Sequence, residues 1–336
     1  MHWALFGVRH HHQPVSKYLN KGMQLVYLDQ CVISRFLSKP ENHQWLELRD
    51  LVLKGNAARK ILCPTSLEHL IETSPLPDAE AICLDKLMGQ LSFGWALADE
   101  FLLIAWQIVV KLRSRPLSRS QIVEKHRLRP ITYPGTLAEL RGVKAGLDQH
   151  NAWTMQGVNE FNALTRDGRK ADGKMLQVLI RLSSDSFVKK LLAEVSNSLL
   201  VGRVVIRVEE HNDTMLNWAS KLVYELITKH RLAPEEGQKL CQLLKIEGLG
   251  FIPTLKIKAE LQAMHFFRRE KIEPRDQYDI TRAACALPYA DIFITDGGKA
   301  SAIRELKLDT AYETEVFSMK KSELPALTAR LKEIVC

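Results

Sequence analysis

The chain has 336 residues, 46% hydrophobic and 26% charged, a balance that suits one large globular domain or two smaller ones and excludes a disordered chain or a repeat array. Its formal charge of +8 favours a polyanionic partner without identifying one. Six cysteines without a CxxC pair, four of them in apolar runs, fit buried, reduced thiols in a cytoplasmic protein.

Residues 1–22 hold no long apolar stretch and no small-residue cleavage site, so they read as a poorly ordered extension rather than a signal peptide. The triplet His10-His11-His12 reads as polar tail rather than as a metal site. After Met23, the run Leu25-Val26-Tyr27-Leu28 ends in Asp29. An uninterrupted apolar run of this kind predicts a strand buried on both faces of a parallel sheet. A second run, Ile61-Leu62-Cys63, leads through Pro64 into Thr65, and Thr65 followed by Glu68 matches a capping box that predicts a helix through Glu72, ended by Pro75 and Pro77.

From about 80 to 270 the texture is helical, with apolar residues at three- and four-residue spacing over 185–200, 212–230, 234–246 and 254–270, and one short strand expected at Val201–Val208. Phe93–Val110 is long enough to span a membrane, but Asp99 and Glu100 at its centre make it a core helix. The α/β texture returns after Pro274: a helix at Asp276–Ala286, a strand at Asp291–Thr295, a turn at Gly297-Gly298 and a helix at Ala300–Leu306. A last strand is expected at Thr314–Phe317, then a closing helix at Ser322–Ile334 capped by Ser322 with Pro325 in its first turn. The predicted organisation is an α/β core from residues 23–78 and 271–336, interrupted by a mostly helical insertion at 79–270.

Acids stand at the ends of these elements. Asp29 and Asp296 end strands, Glu68 and Glu72 lie in the first two turns of a helix, and Asp279 opens another. Aspartates at the carboxyl edge of an open α/β sheet sit where such sheets bind ligands. Several carboxylates meeting there repel one another unless a cation lies among them, and hard oxygen ligands select Mg²⁺ or Mn²⁺. A metal so held suits phosphodiester hydrolysis. Taken singly, each acid reads more readily as a helix cap or a surface charge, and it is their joint placement that favours a site.

The segments Leu28-Asp29, Pro64-Thr65-Ser66-Leu67-Glu68-His69-Leu70-Ile71-Glu72, Asp276-Gln277-Tyr278-Asp279 and Ile294-Thr295-Asp296 resemble the motifs of the PIN and PIN-like nuclease superfamily, over about a third of the chain. The resemblance implies a Rossmann-like three-layer α/β/α fold with a mostly parallel sheet and a metal-dependent nuclease, RNA being the favoured substrate. It implies Asp29, Glu68 or Glu72, Asp279 and Asp296 as metal-binding and catalytic acids, with Asp291 a further candidate. Glu68 and Glu72 remain alternatives, because some PIN-like branches carry an S-x-x-H-x-x-E/D pattern that points to Glu72. It also raises a toxin or defence role with an antitoxin or regulatory protein as partner. The long insertion departs from small PIN toxins, so their targets do not carry over.

Ser34 and Thr295 offer hydroxyls to a metal-bound water or a phosphate. His69 is expected to pack on the sheet or donate a hydrogen bond. The densest basic stretch, residues 111–130, supplies Lys111, Arg113, Arg115, Arg119, Lys125, Arg127 and Arg129 as nucleic-acid contacts, extended by Arg268, Arg269 and Lys271. Arg282, one turn after Asp279, either pairs with the acids or meets a phosphate, and Lys299 reaches towards the substrate backbone. Two other readings compete: a PIN-like nucleic-acid- or protein-binding module without turnover, and a phosphatase of the haloacid dehalogenase type. The latter needs an Asp two residues after Asp29, where Cys31 stands.

Overall fold

The computed structural model describes residues 23–38, 42–73, 76–114, 123–125, 173–201, 218–268 and 274–336. The chain is a mixed α/β protein, mostly helical, with a small parallel sheet. It divides into two compact units, one made from Met1–Ala98, Ser118–His150 and Tyr289–Cys336, the other from Asp99–Leu117 and Asn151–Pro288.

The first unit is built on a four-stranded sheet in the order β2-β1-β5-β6, all neighbours parallel, with β1 at Gln24–Leu28, β2 at Ile61–Leu62, β5 at Ile292–Thr295 and β6 at Glu315–Ser318. Val26 faces Ile292 and Leu28 faces Ile294 across β1 and β5. The pair Tyr27 and Phe293 lies in register too, with rings stacked 5.4 Å apart. Every residue of β5 is buried, which is why neither β1 nor β5 alternates in sequence.

Helices α1 (Gln30–Ser38), α2 (His43–Ala57), α3 (Leu67–Thr73) and α4 (Asp78–Ser92) follow the first strands. The core they close includes Val32, Phe36, Trp45, Leu48, Leu84 and Leu91, each contributing on the order of 1.5–3 kcal/mol by leaving water. Asn42 starts α2, its carbonyl oxygen accepting from the Gln44 N–H at 3.0 Å. Gly55 is required where α2 crosses the sheet, since a Cβ there would lie 2.6 Å from the Ile61 side chain and 2.9 Å from that of Val335. A two-stranded antiparallel ribbon pairs β3 (Trp95–Leu97) with β4 (Val123–Lys125), and Thr65 bridges to Ala96.

The second unit is helical: α5 (Glu100–Arg113), α6 (Gly173–Val201), α7 (Trp218–Thr228), α8 (Pro234–Glu247), α9 (Pro253–Arg268) and α10 (Pro274–Ala286). Its core draws Ile104 and Ile108 from α5, Leu191 from α6, Leu222 and Leu226 from α7 and Leu244 from α8. Buried polar ties fix α5 to α9: Gln107 donates to the Thr254 hydroxyl at 2.8 Å and accepts from the Thr254 N–H at 3.2 Å, while Lys258 pairs with Glu100 at 2.5 Å.

Several predicted elements take another form. Phe93–Val110 is not one helix: Phe93 and Gly94 turn the chain with φ of 48° and 74°, β3 follows, and Asp99 caps α5 by accepting from the Leu102 N–H at 3.0 Å. The two acids at the centre of the run are thus a helix start. Gly297 and Gly298 are no turn but the first residues of α11 (Gly297–Glu305). The short helix α12 (Leu308–Ala311) and the closing helix α13 (Leu324–Val335) complete the first unit, and α13 is preceded by Glu323 rather than capped by Ser322. The predicted capping box at Thr65 is absent, because the Thr65 hydroxyl donates to the Trp95 carbonyl and the helix begins at Leu67. Helix α10, expected with the α/β core, clusters with the second unit. Of the strand expected at Val201–Val208, Val201 is the last residue of α6 and the rest lies outside the described residues, as do residues 1–22. None of the described helices is long and apolar enough to cross a membrane.

Candidate functional site

Because β1 and β5 are adjacent and parallel, the residues that follow them come out side by side at the carboxyl edge of the sheet. Those residues are Asp29 and Asp296. The chain leaves β1 for β2 on one side and β5 for β6 on the other, so the strand order reverses between them. A reversal of that kind opens a crevice where open α/β sheets bind ligands.

Asp29 is 2% exposed and its backbone N–H donates to the Ile294 carbonyl at 3.0 Å. One carboxylate oxygen accepts from the Gln30 N–H at 2.8 Å. The other accepts from the Thr295 hydroxyl at 2.5 Å and from the Lys299 ammonium at 3.0 Å. Asp296 caps α11, one oxygen accepting from the N–H groups of Gly298 at 2.7 Å and Lys299 at 3.0 Å. Its second oxygen lies 3.7 Å from the same ammonium. The Lys299 side chain is 8% exposed, whereas that of Asp296 is 42% exposed. Two carboxylates, one sealed and one open to solvent, therefore converge on a single cation. Removing Lys299 would take the ammonium from the buried Asp29 carboxylate, which costs stability.

Helix α3 is fastened to the same edge. His69 is fully buried, and its Nδ1 accepts from the Ser66 N–H at 2.9 Å while its Nε2 donates to the Leu28 carbonyl at 3.0 Å. Those two bonds define the neutral Nε2–H tautomer. The Tyr27 and Ser66 hydroxyls share a hydrogen bond of 2.9 Å, and the Tyr27 ring lies 5.5 Å from the imidazole. Gln30 donates to the Thr73 hydroxyl at 3.2 Å, which itself donates to the His69 carbonyl at 2.6 Å. Glu68, buried, and Glu72, half-buried, share one face of α3 at i, i+4 spacing beside these ties.

Scans against protein-family models, curated proteins and solved structures return no match.

The other sequence-predicted residues belong to other elements. Asp291 begins β5 at the opposite, amino edge, where its carboxylate accepts from the Leu25 N–H at 2.7 Å and holds strand register. Asp279 belongs to the second unit, where it pairs with Arg282 one turn on, and Arg282 is 2% exposed. Lys111 pairs with Glu247 at 2.8 Å, and Arg113 clamps Glu236 at 2.6 and 2.9 Å while donating to the His230 carbonyl. These two basic residues are structural ties within the second unit. Arg115, Arg119, Arg127, Arg129 and the side chain of Lys125 lie outside the described residues, as do Arg269 and Lys271. Ser34 is half-buried on α1, a turn beyond Asp29.

Among the described residues, no three or more His, Cys, Asp or Glu side chains form a metal cage. The oxygens facing the Lys299 ammonium come from two carboxylates, one of which also accepts from the Thr295 hydroxyl. That set suits Mg²⁺ or Mn²⁺, which bind through one or two carboxylates and complete their shell with water and substrate phosphate. Sequence reasoning missed Lys320. Its stem crosses the start of α11, so that a Cβ on Gly297 would lie 2.8 Å from the Lys320 Cε, and it brings an exposed cation from the end of β6 to the Asp296 edge. The inward aim of Lys299 was also unread, and the signal for it was Asp296 as a helix cap, which puts Lys299 in the first turn.

Proposed function

We propose that the first unit is a PIN-like, Rossmann-type nuclease core that hydrolyses phosphodiester bonds, RNA being the favoured substrate, with Mg²⁺ or Mn²⁺ as cofactor. The observation that carries this reading is the convergence of Asp29 and Asp296 on one cation at the edge where the strand order reverses. Asp29 and Asp296 would hold the ion, with Glu68 or Glu72 of α3 supplying any third carboxylate. When bound, the ion would lower the pKa of a coordinated water and steady the charge on the leaving oxygen. Thr295 fixes the Asp29 carboxylate, since its hydroxyl donates to the inner oxygen at 2.5 Å. The burial of Asp29 keeps bulk water from that oxygen, while the exposure of Asp296 leaves the outer side open to a polymer strand. In this reading Lys320, whose stem passes Gly297, supplies a rim cation for a phosphate. The overall charge of +8 supports a nucleic-acid partner. All six cysteines are free thiols, which fits a reducing, cytoplasmic setting. An antitoxin or other regulatory protein as partner belongs to the same PIN-like reading.

A second reading is favoured by the Lys299 pair itself. An ammonium already neutralises Asp29, which suits a nucleic-acid-binding module that keeps the fold without turnover. Cleavage of total RNA, tRNA, single-stranded DNA and duplex DNA with Mn²⁺, Mg²⁺ or EDTA, beside Asp29→Asn, separates the two. The nuclease reading expects metal-dependent cutting that falls by at least about a hundredfold in Asp29→Asn. Undiminished cutting by that variant would sink it, and binding without cutting by the wild type would establish the module.

A further inference from the structure

Lys299 sets its ammonium against the two carboxylates that would hold a divalent ion in the reading above. Its ammonium is 3.0 Å from an oxygen of Asp29 and 3.7 Å from an oxygen of Asp296, and its side chain is 8% exposed. It is not a surface lysine that has drifted onto an acid, because the helix holds it there: Asp296 accepts from the Lys299 backbone N–H at 3.0 Å and so fixes the first turn of α11 from which the side chain departs. The trio carries one net negative charge with the ammonium in place and two without it. Cation affinity at oxygen sites rises with the charge of the ligands and falls when a like charge sits among them.

We propose that Lys299 is the residue that sets the divalent-cation affinity of this site, by competing with the metal for Asp29 and Asp296. The inference rests on the metal-site reading above. The flexible four-carbon stem of a lysine lets its ammonium leave the carboxylates and turn towards solvent, where a substrate phosphate would receive it. A site of this design binds metal weakly when empty of substrate and more tightly when a phosphate draws the ammonium away. Arginine would not serve in the same way, since its planar fork would hold a carboxylate at two points and resist release.

Mn²⁺ binding to the full chain by titration calorimetry tests the proposal. Lys299→Met is expected to bind Mn²⁺ at least about tenfold tighter than the wild type, and adding Asp296→Asn should abolish the gain. Because Lys299→Met takes the ammonium from the buried Asp29 charge at a cost in stability, a second measurement uses the unaltered protein. The ammonium resonance of Lys299, assigned by through-bond correlation to its own backbone, should shift on titration with Mg²⁺ in the wild type and stay fixed in Asp296→Asn. Saturable Mn²⁺ binding that Lys299→Met does not tighten, or that leaves the Lys299 resonance unmoved, overturns the competition while the metal site stands. No divalent binding by either protein overturns both the competition and the metal reading beneath it.

Discussion

Replacing His69 should loosen the carboxyl edge of the sheet. In His69→Ala two buried groups lose their partners, the Ser66 N–H that donates to Nδ1 at 2.9 Å and the Leu28 carbonyl that accepts from Nε2 at 3.0 Å. An orphaned buried polar group costs about 1–3 kcal/mol, and the space left by a fully buried ring adds to that. The expected loss is about 3–5 kcal/mol, read by urea unfolding. The two units need not unfold together, so amide exchange at Ser66 supplies the local readout. Two further substitutions resolve the halves of the bridge. The His69→Asn oxygen falls near Nδ1 and keeps the Ser66 bond, while the His69→Gln amide nitrogen falls near Nε2 and keeps the Leu28 bond. Each should recover about 1–2 kcal/mol of the alanine loss, and only Asn should restore protection at Ser66. An alanine variant within about 0.5 kcal/mol of the wild type, or Asn and Gln variants no better than alanine, would refute the bridge.

Asp29→Asn leaves the Lys299 ammonium, 8% exposed, to the Asp296 carboxylate 3.7 Å away and should cost about 1–3 kcal/mol. The double variant Asp29→Asn/Lys299→Met should recover most of that in the same urea assay. Asp85 on α4 has a buried oxygen without a hydrogen-bond partner among the described residues, and burial pushes its carboxyl up from 3.8 to about 6. The folded state therefore favours the protonated acid: the contribution is full below pH 3.8 and is lost as pH rises through about 6. Asp85→Asn should accordingly gain about 1 kcal/mol at pH 7.5 after allowance for partial solvent screening, and show no gain at pH 4, by paired thermal melts. At the other end of the scale, the Arg304 guanidinium holds Glu323 down at about 2 from 4.5, helped by the Ser318 N–H. The stabilisation is present above pH 4.5 and fades as pH falls towards 2. Glu323→Gln should cost about 1–2 kcal/mol at pH 7 and almost nothing at pH 2.

The strands that frame the site were legible because β1 and β5 are covered on both faces, which turns Leu25–Leu28 and Ile292–Ile294 into unbroken apolar runs ending at an acid. Positions of Asp29 and Asp296 followed from that. The break inside Phe93–Val110 was hidden because Phe93, a residue with no preference for the left-handed region, adopts a φ of 48° there. Gly297 and Gly298 looked like a turn because the pair usually is one, yet the Asp296 side chain satisfies the exposed N–H groups of a helix start. Lys299 reads as solvated in any local window, for its acceptor on Asp29 comes from 270 residues away. Asp291 could be told apart in sequence, since it begins the predicted strand that Asp296 ends, and the parallel register puts it at the amino edge beside Leu25.

The partners of β1 lie far apart in time as well as in sequence. Its pairing with β2 is local, but Thr295 reaches Asp29 across 266 residues, and nearly all of the second unit's chain must be made in between. At about 5–20 residues per second, a ribosome takes on the order of tens of seconds to cover that distance. Throughout that interval one edge of β1, Val26 to Leu28, has no strand to pair with, and the carboxylate of Asp29 has neither its hydroxyl donor nor its ammonium. The emerging chain thus carries an apolar edge of the kind that invites aggregation. The same delay means that the two acids of the candidate site cannot meet until Asp296 has been made, so a product truncated before it would have Asp29 and no site.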